Sequence, residues 1–284
     1  MFMTLLPTQA NVGRVAVTDG MDPVAVNKLL NAGHEVIERH YTKDELLSGA
    51  LSAFDAVVVR SATKLTSEVI SKSDNLSFIG RAGVGVDNID LQAASSHGIV
   101  VCNTPQSSTN SVVELTIGHL LSSCRHIARG DRGLRAGLWE KKQLKGTELS
   151  GKRLGLVGFG RIAQGVATVA TAMGMECHAY DPYLPPNIAS KFDCTMHDDV
   201  DSIFRLCTHI SIHCNLSEET HHLVNRERIA MMPTLAPNGV NCGNHIVNCA
   251  RGGIVDEGAV LDYLESGDLT SAALDVFEVE PALD

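Results

Sequence analysis

From residue 14 to residue 102, short apolar runs alternate with amphipathic stretches. "RVAVT", "HEVIER", "DAVVVR", "LSFIGRA" and "IVVCN" have strand length and β-branched content. Between them, "DPVAVNKLLNAG", "TKDELLSGAL", "LTSEVISKS" and "DLQAASSHG" place apolar residues at helical spacing. Buried strands separated by helices of about 10 residues predict βα units and a mostly parallel sheet. The first helix shows the local logic: Asp22 suits the N-cap, Pro23 the first helical position and Gly33 the position just past the C-cap.

A helical segment from about Asn110 to Arg129 interrupts the alternation, and a second series follows. Its pieces are "KRLGLVGFGRIAQGVATVATAMGM", "ECHAYD", "VDSIFRLCTHISIHC", "HIVNCARGG", "DEGAVLDYLESGD" and "SAALDVFEVE". The pattern predicts two α/β domains of doubly wound type, residues 1–108 and 109–284, with a cleft between them as the expected place for a small ligand. One stretch breaks the pattern: in "PTLAPNGVNCGNHIVNCARGG", "GVNCG" is nearly echoed by "IVNCARG". It reads as a surface loop, a local duplication or an error between gene and sequence.

Composition narrows the partners. A net charge of −10 across 284 residues lacks the clustered Lys and Arg that nucleic acid or an anionic membrane requires, so small molecules are expected instead. Eight cysteines without a C-x-x-C pair or a regular framework read as reduced, mostly buried thiols in a cytoplasmic setting. The N-terminal "MFMTLLPTQANVGRVAV" lacks a basic leader and a cleavage-like site, and no apolar run approaches about 18 residues, so the expectation is a soluble, unexported protein.

Two clusters carry chemistry. "GLVGFGRIAQGVA" sets Gly158, Gly160 and Ala163 as G-x-G-x-x-A directly after an apolar strand and at the start of a helix. The first glycine permits a tight turn, the second lets the backbone approach a pyrophosphate, and the small third residue lets helix pack on strand. The N–H groups of Arg161 and Ile162 then point at the phosphates. Asp181 ends the next strand about 20 positions on, the spacing of a carboxylate that binds the adenosine ribose and repels a 2′-phosphate, so NAD is favoured over NADP.

The second cluster is "NCARGGIVDEGAV". Arg251 at a strand end, with Gly252 and Gly253 leaving its approaches clear, suits bidentate capture of a carboxylate; the competing reading is a surface arginine ahead of a helix capped by Asp256. The histidines show no zincin spacing, and no metal is expected. His209 and His213 share one face of a strand, and His221 and His222 fall in a helical or loop stretch.

Seven ordered motifs then make the chain resemble the D-2-hydroxyacid dehydrogenase family over nearly its whole length. They are "VVVRSATKLTSEVI", "IGRAGVGVDNIDL", "GIVVCNTPQSSTNSVVELTIGHLL", "GLVGFGRIAQGVA", "YDPY", "VNCARGGIVDEGAVL" and "ALDVFEVEP". The resemblance implies a flavodoxin-like substrate domain and a Rossmann NAD-binding domain. It implies that Arg251 orients the substrate and that Glu280 pairs with the catalytic histidine. Asp275 would meet the nicotinamide carboxamide, while Cys214, Cys249 and Ala250 line the cofactor cleft. Arg60, Ser61, Arg81, Gly83 and Val84 fall in the substrate-facing loops, whose arginines suit a phosphorylated D-2-hydroxy acid such as 3-phosphoglycerate. Glu278 is expected to face solvent, and Trp139 to lie along the interface of a homodimer or homotetramer, unless it is a lone core or surface tryptophan.

In similar enzymes a histidine in a "P-H-x-G" turn, roughly twenty residues beyond Glu280, is the general acid-base, and the sequence stops before it. Asn215 stands where proline is common, and the loop before "VNCARGG" is longer than usual. Three readings follow: a portion of a complete dehydrogenase, a short NAD-responsive binding module without catalysis, or a dehydrogenase for glycerate, glyoxylate or another small 2-hydroxy acid.

Overall fold

A computed structural model describes residues 13–281. Residues 1–12, the start of the N-terminal stretch quoted above, lie outside the described residues. The chain divides into two compact units, Met1–Ser108 and Thr109–Asp284.

The first unit runs β1 (Arg14–Val17), α1 (Pro23–Asn31), β2 (Glu35–Glu38), α2 (Lys43–Leu47), β3 (Ala56–Val59), α3 (Ser67–Ser71), β4 (Phe78–Arg81), α4 (Leu91–Ser96) and β5 (Val100–Asn103). All pairings are parallel and the strand order is β2-β1-β3-β4-β5, the flavodoxin-like order. Helix starts follow the sequence closely. The Asp22 carboxylate accepts the Val24 N–H at 2.8 Å, Pro23 opens α1, and Gly33 takes φ +94° just past its C-cap. Thr42 and Glu45 form a reciprocal capping box on α2. Leu51, Val57, Val59, Leu65, Ile70 and Ile79 fill the core between sheet and helices.

The second unit begins with α5 (Thr109–Arg125) and α6 (Ile127–Arg135). Here the expectation of one helix from about Asn110 to Arg129 is corrected. His126 adopts φ +55°, which ends the first helix and redirects the chain into the second. A left-handed residue that is not glycine gives no sequence warning.

There follow β6 (Arg153–Val157), α7 (Arg161–Ala172), β7 (Glu176–Tyr180), a 3-10 helix (Pro186–Phe192), β8 (Cys194–His197), α8 (Val200–Leu206), β9 (His209–Ile212), α9 (Arg226–Met231), β10 (His245–Asn248), α10 (Glu257–Ser266) and β11 (Ser271–Leu274). The parallel sheet has the order β11-β10-β9-β6-β7-β8, which is the dinucleotide-binding order read from its other edge. One face is covered by α5 and α7 through Leu120, Leu154, Leu156, Val166 and Ala170. The other is covered by α8, α9 and α10 through Ile203, Phe204, Ile210, Ile246 and Val260.

The irregular stretch before β10 is an ordered turn. Leu235 bridges Asn241, the Ala236 N–H donates to the Val240 carbonyl at 2.9 Å, and Ala236, Cys242 and Asn244 are buried. It is therefore a folded surface loop, exposed over most of its length and anchored by its buried residues. Among the described residues no helix is long and apolar enough to cross a membrane.

Candidate functional site

The carboxyl ends of the second sheet's strands collect the candidate cofactor residues. Gly158 follows β6, Asp181 follows β7, His213 and Cys214 follow β9, Cys249 to Arg251 follow β10, and Asp275 follows β11. Strand order reverses between β6 and β9, and open α/β sheets hold ligands at such a switch point.

Gly158 and Gly160 differ in kind. Gly158 takes φ +86°, and a Cβ there would stand 2.7 Å from the Cys214 nitrogen, so both backbone shape and room demand glycine. Gly160 is extended, at φ −68° and ψ −172°, and a Cβ there would meet nothing within 4 Å. Its lack of a side chain matters to what approaches from outside. Gly160 is also the N-cap of α7, and no side chain caps that end, where Arg161 and Ile162 begin the helix. Ala163 is fully buried against the sheet.

Asp181 has a structural task. Its Oδ2 accepts the Phe159 N–H at 2.8 Å and its Oδ1 accepts the Tyr183 N–H at 2.9 Å, which fixes the carboxylate beside the glycine turn. Each carboxylate oxygen keeps a further lone pair for a ligand hydroxyl. Burial drives the thiols of Cys214 and Cys249 up to about 11, so they line the edge as neutral, weakly polar groups. Burial likewise pushes the His213 imidazole down to about 4, and its Nε2 bonds Ser211 Oγ at 2.8 Å. This histidine stays neutral at physiological pH.

The Arg251 turn is held by Asn248, a residue with 1% exposure. Its Oδ1 accepts the Ala250 N–H at 3.0 Å and its Nδ2 donates to the Arg251 carbonyl at 2.9 Å. Arg251 Nη1 donates to the Ala250 carbonyl at 2.7 Å. A side chain at Gly252 would collide with the Phe277 carbonyl, so this glycine lets the segment after β11 pass beside the arginine turn.

On that segment Glu280 is exposed and its Oε1 accepts the Phe277 N–H at 3.0 Å. Glu278 is exposed, as the sequence suggested, and it is also tied down. Its Oε1 bonds His222 Nε2 at 2.9 Å, and its N–H donates to Glu257 Oε1 at 2.6 Å, which ties the segment to the start of α10. His221 and His222 stack in a turn, and Asp256 caps α10 as expected, accepting the Ala259 N–H at 2.9 Å.

In the first unit, Arg60 follows β3 and Arg81 ends β4, on paired strands at the carboxyl edge of that sheet. The Arg60 loop is built on Asp19, whose Oδ2 accepts the Arg60 N–H at 2.7 Å and whose Oδ1 accepts the Thr63 hydroxyl at 2.6 Å. Burial pushes the Asp19 carboxyl up, but these hydrogen bonds outweigh it and hold the group below the usual carboxylate value. Asn88 closes the loop from the other side, donating to the carbonyls of Arg60 at 2.8 Å and Thr63 at 2.7 Å. Arg60, Ser61 and Val84 are exposed, and the Arg81 guanidinium folds over Gly83, where a side chain would collide with it.

Sequence reasoning gave no role to Asp19, Asn88 or Asn248. Each lay within or near a quoted motif, but the signal of a positioning residue is its buried hydrogen bonds, which only the fold displays.

A family model described as "D-isomer specific 2-hydroxyacid dehydrogenase, NAD binding domain" matches residues 117–284. The chain is 47% identical over 272 residues to a hydroxypyruvate reductase of Thermotoga maritima, covering 95% of this chain and 85% of that protein. It is 43% identical over 271 residues to a D-3-phosphoglycerate dehydrogenase of Methanocaldococcus jannaschii, covering 95% of this chain and 50% of that protein. The chain thus spans about half the length of the curated D-3-phosphoglycerate dehydrogenases it matches. Among solved structures, a D-lactate dehydrogenase from Aquifex aeolicus complexed with NAD and lactic acid aligns with a TM-score of 0.81 at 28% identity, covering 95% of this chain and 78% of that one.

Proposed function

This chain belongs to the D-isomer-specific 2-hydroxyacid dehydrogenases, and from that membership we propose that the whole protein moves a hydride between NAD and a D-2-hydroxy acid. The observation that carries the reading is the open Gly160 turn with Asp181 fixed beside it. An unfilled N-cap suits a pyrophosphate, and a fixed carboxylate suits a ribose diol, so the residues present fit the cofactor.

The bound nicotinamide supplies the hydride acceptor or donor. Everything else falls to the chain. The N–H groups of Arg161 and Ile162 take the pyrophosphate. Asp181 accepts from the adenosine ribose and repels a 2′-phosphate, giving preference for NAD over NADP. Asp275 meets the carboxamide, while Cys214, Cys249 and Ala250 exclude water along the ring. Arg251, held by Asn248, takes the substrate carboxylate in a bidentate grip and polarises its carbonyl. Glu280 stabilises the charged form of a partner imidazole, which takes the hydroxyl proton as the hydride leaves.

The preferred substrate is 3-phosphoglycerate, oxidised to 3-phosphohydroxypyruvate. The Asp19-built loop places Arg60 and Ser61 in the open at the strand edge that also carries Arg81, and that chemistry suits a phosphate ester. Gly83 and Val84 complete the same loop set. A second reading, reduction of hydroxypyruvate, is favoured by the likeness to the Thermotoga enzyme.

The test follows NADH absorbance with D-3-phosphoglycerate, D-glycerate and hydroxypyruvate. The phosphorylated acid is expected to be preferred, and Arg60→Ala to lower its kcat/KM by about tenfold or more, the worth of a charge-assisted bond, while sparing D-glycerate. Equal loss for both acids, or none, removes the phosphate reading.

The second unit also exposes Ile127, Leu134, Leu138 and Trp139, the last at 81%. So much apolar surface on one connected stretch supports association of two or more copies of the chain through it.

A further inference from the structure

At the edge of the second sheet opposite the nucleotide end, three soft donors meet. His209 and His245 are the first residues of β9 and β10 and stand directly across the ladder from each other. Their rings stack with centroids 4.5 Å apart. From the last turns of α5, Cys124 brings its Sγ to 3.4 Å from His209 Nε2. The donor atoms of all three residues lie within 4.8 Å of one another, and exposure is 2%, 0% and 2% for Cys124, His209 and His245.

The remaining ring atoms are already oriented. His209 Nδ1 bonds Thr208 Oγ1 at 2.8 Å, which leaves Nε2 toward the cysteine. His245 Nδ1 bonds Ser271 Oγ at 2.7 Å, and its Nε2 reaches the Cys242 carbonyl at 3.0 Å. Outer partners on Nδ1 are what a ligating histidine uses to fix tautomer and ring angle.

A fourth donor is near. Cys242 precedes His245 in a C-x-x-H arrangement and is 3% exposed. Its thiol now donates to the carbonyls of Thr234 at 3.6 Å and Gly243 at 3.5 Å, both weak sulfur contacts. Cys124, Cys242 and His245 line one cavity of about 230 Å³, together with His126, Lys145 and Thr270. That cavity gives an entry path.

We propose that Cys124, His209 and His245 bind a zinc ion, with Cys242 closing the set to four. Tetrahedral zinc holds sulfur at about 2.3 Å and nitrogen at about 2.0–2.1 Å, which puts bound sulfur and nitrogen roughly 3.5 Å apart, close to the observed Cys124 to His209 spacing. Binding displaces the Cys242 carbonyl from His245 Nε2 and releases the thiol protons. The surroundings decide the stoichiometry of charge. The donors are buried, and Lys145 lines the cavity with Cys124, Cys242 and His245. Two thiolates would neutralise the ion, and a neutral centre suits a buried site better than a charged one. The ion would tie α5, β9, β10 and the loop ahead of β10 together, a structural role with no open position for catalysis.

The competing arrangement is a thiol to imidazole hydrogen bond with no ion. The reduced, chelator-stripped chain is titrated with cobalt(II) alone as the spectroscopic stand-in. One equivalent is expected to produce a thiolate-to-cobalt charge-transfer band and the intense visible bands of a four-coordinate ion, both bleached by zinc. Cys124→Ala is expected to abolish binding, Cys242→Ala to reduce the charge-transfer intensity by about half, and Ser271→Ala to keep the spectrum while weakening affinity about 10–100-fold. A Cys102→Ala control should leave the spectrum intact, since that cysteine is exposed. Absence of the band, or its loss in Cys102→Ala with survival in Cys124→Ala, overturns the proposal. Should the buried variants fold poorly, peptide-mapped alkylation of the unmodified chain decides: zinc should protect Cys124 and Cys242, and no protection overturns the site.

Discussion

Two glycines two residues apart differ in what they do: one is required by the fold, and the other is proposed to serve binding. Gly158 sits at φ +86° with the Cys214 backbone against it, so Gly158→Ala is expected to cost about 1–3 kcal/mol of stability. Gly160 has open space where a Cβ would stand, so Gly160→Ala should leave the melting temperature nearly unchanged while lowering NAD affinity by at least about tenfold. Thermal unfolding and calorimetric titration of both variants check this; a Gly160→Ala protein that binds NAD normally contradicts the role given to the turn. The residue scale also marks the limit of sequence reading. The G-x-G-x-x-A spacing displayed the turn, because three small residues between a strand and a helix have few other uses. The side chains that hold the site were not visible in the same way. Asn248, Asn88 and Asp19 act through hydrogen bonds to backbone far along the chain or around a turn, as in the 2.7 Å bond from the Arg60 N–H to Asp19.

Between elements, α5 and α7 pack through a glycine. A Cβ at Gly165 would stand 2.7 Å from Val113 Cγ2, so Gly165→Ala should overpack this contact and cost about 1–3 kcal/mol. Val113→Ala opens the space it needs, and the double variant should recover part of the loss, a coupling measurable in a denaturant double-mutant cycle. Simple additivity would show that the helices do not meet there. Elements with strong local signals were legible: α1 by its Asp22 cap and Pro23, and the strands by β-branched runs such as "AVVV". Others were not. Strand β8 is "CTMH", with no β-branched aliphatic or aromatic run to mark it, and is made a strand by pairing with β7. The 3-10 helix and α9 are short, and the break at His126 is a tertiary choice of backbone rather than a local preference.

For the whole molecule, the two sheet orders follow from right-handed βα crossovers wound in opposite directions from a central strand, which leaves each sheet a switch point at its carboxyl edge. The residues that the sequence proposed for the cofactor lie at that edge of the second sheet. The sequence could not place Cys124, His209 and His245 at the opposite one, because they come from three elements with no shared spacing. Assembly is tested by sedimentation velocity: the chain should run as a dimer or larger, and Trp139→Lys should shift it toward monomer, whereas a monomeric parent protein contradicts association through Trp139. The dinucleotide site itself is checked by calorimetric titration of the chain with NAD and with NADP. NAD is expected to bind, with NADP weaker by at least about tenfold and a narrowed gap in Asp181→Ala. No NAD binding, or tighter binding of NADP, would contradict it.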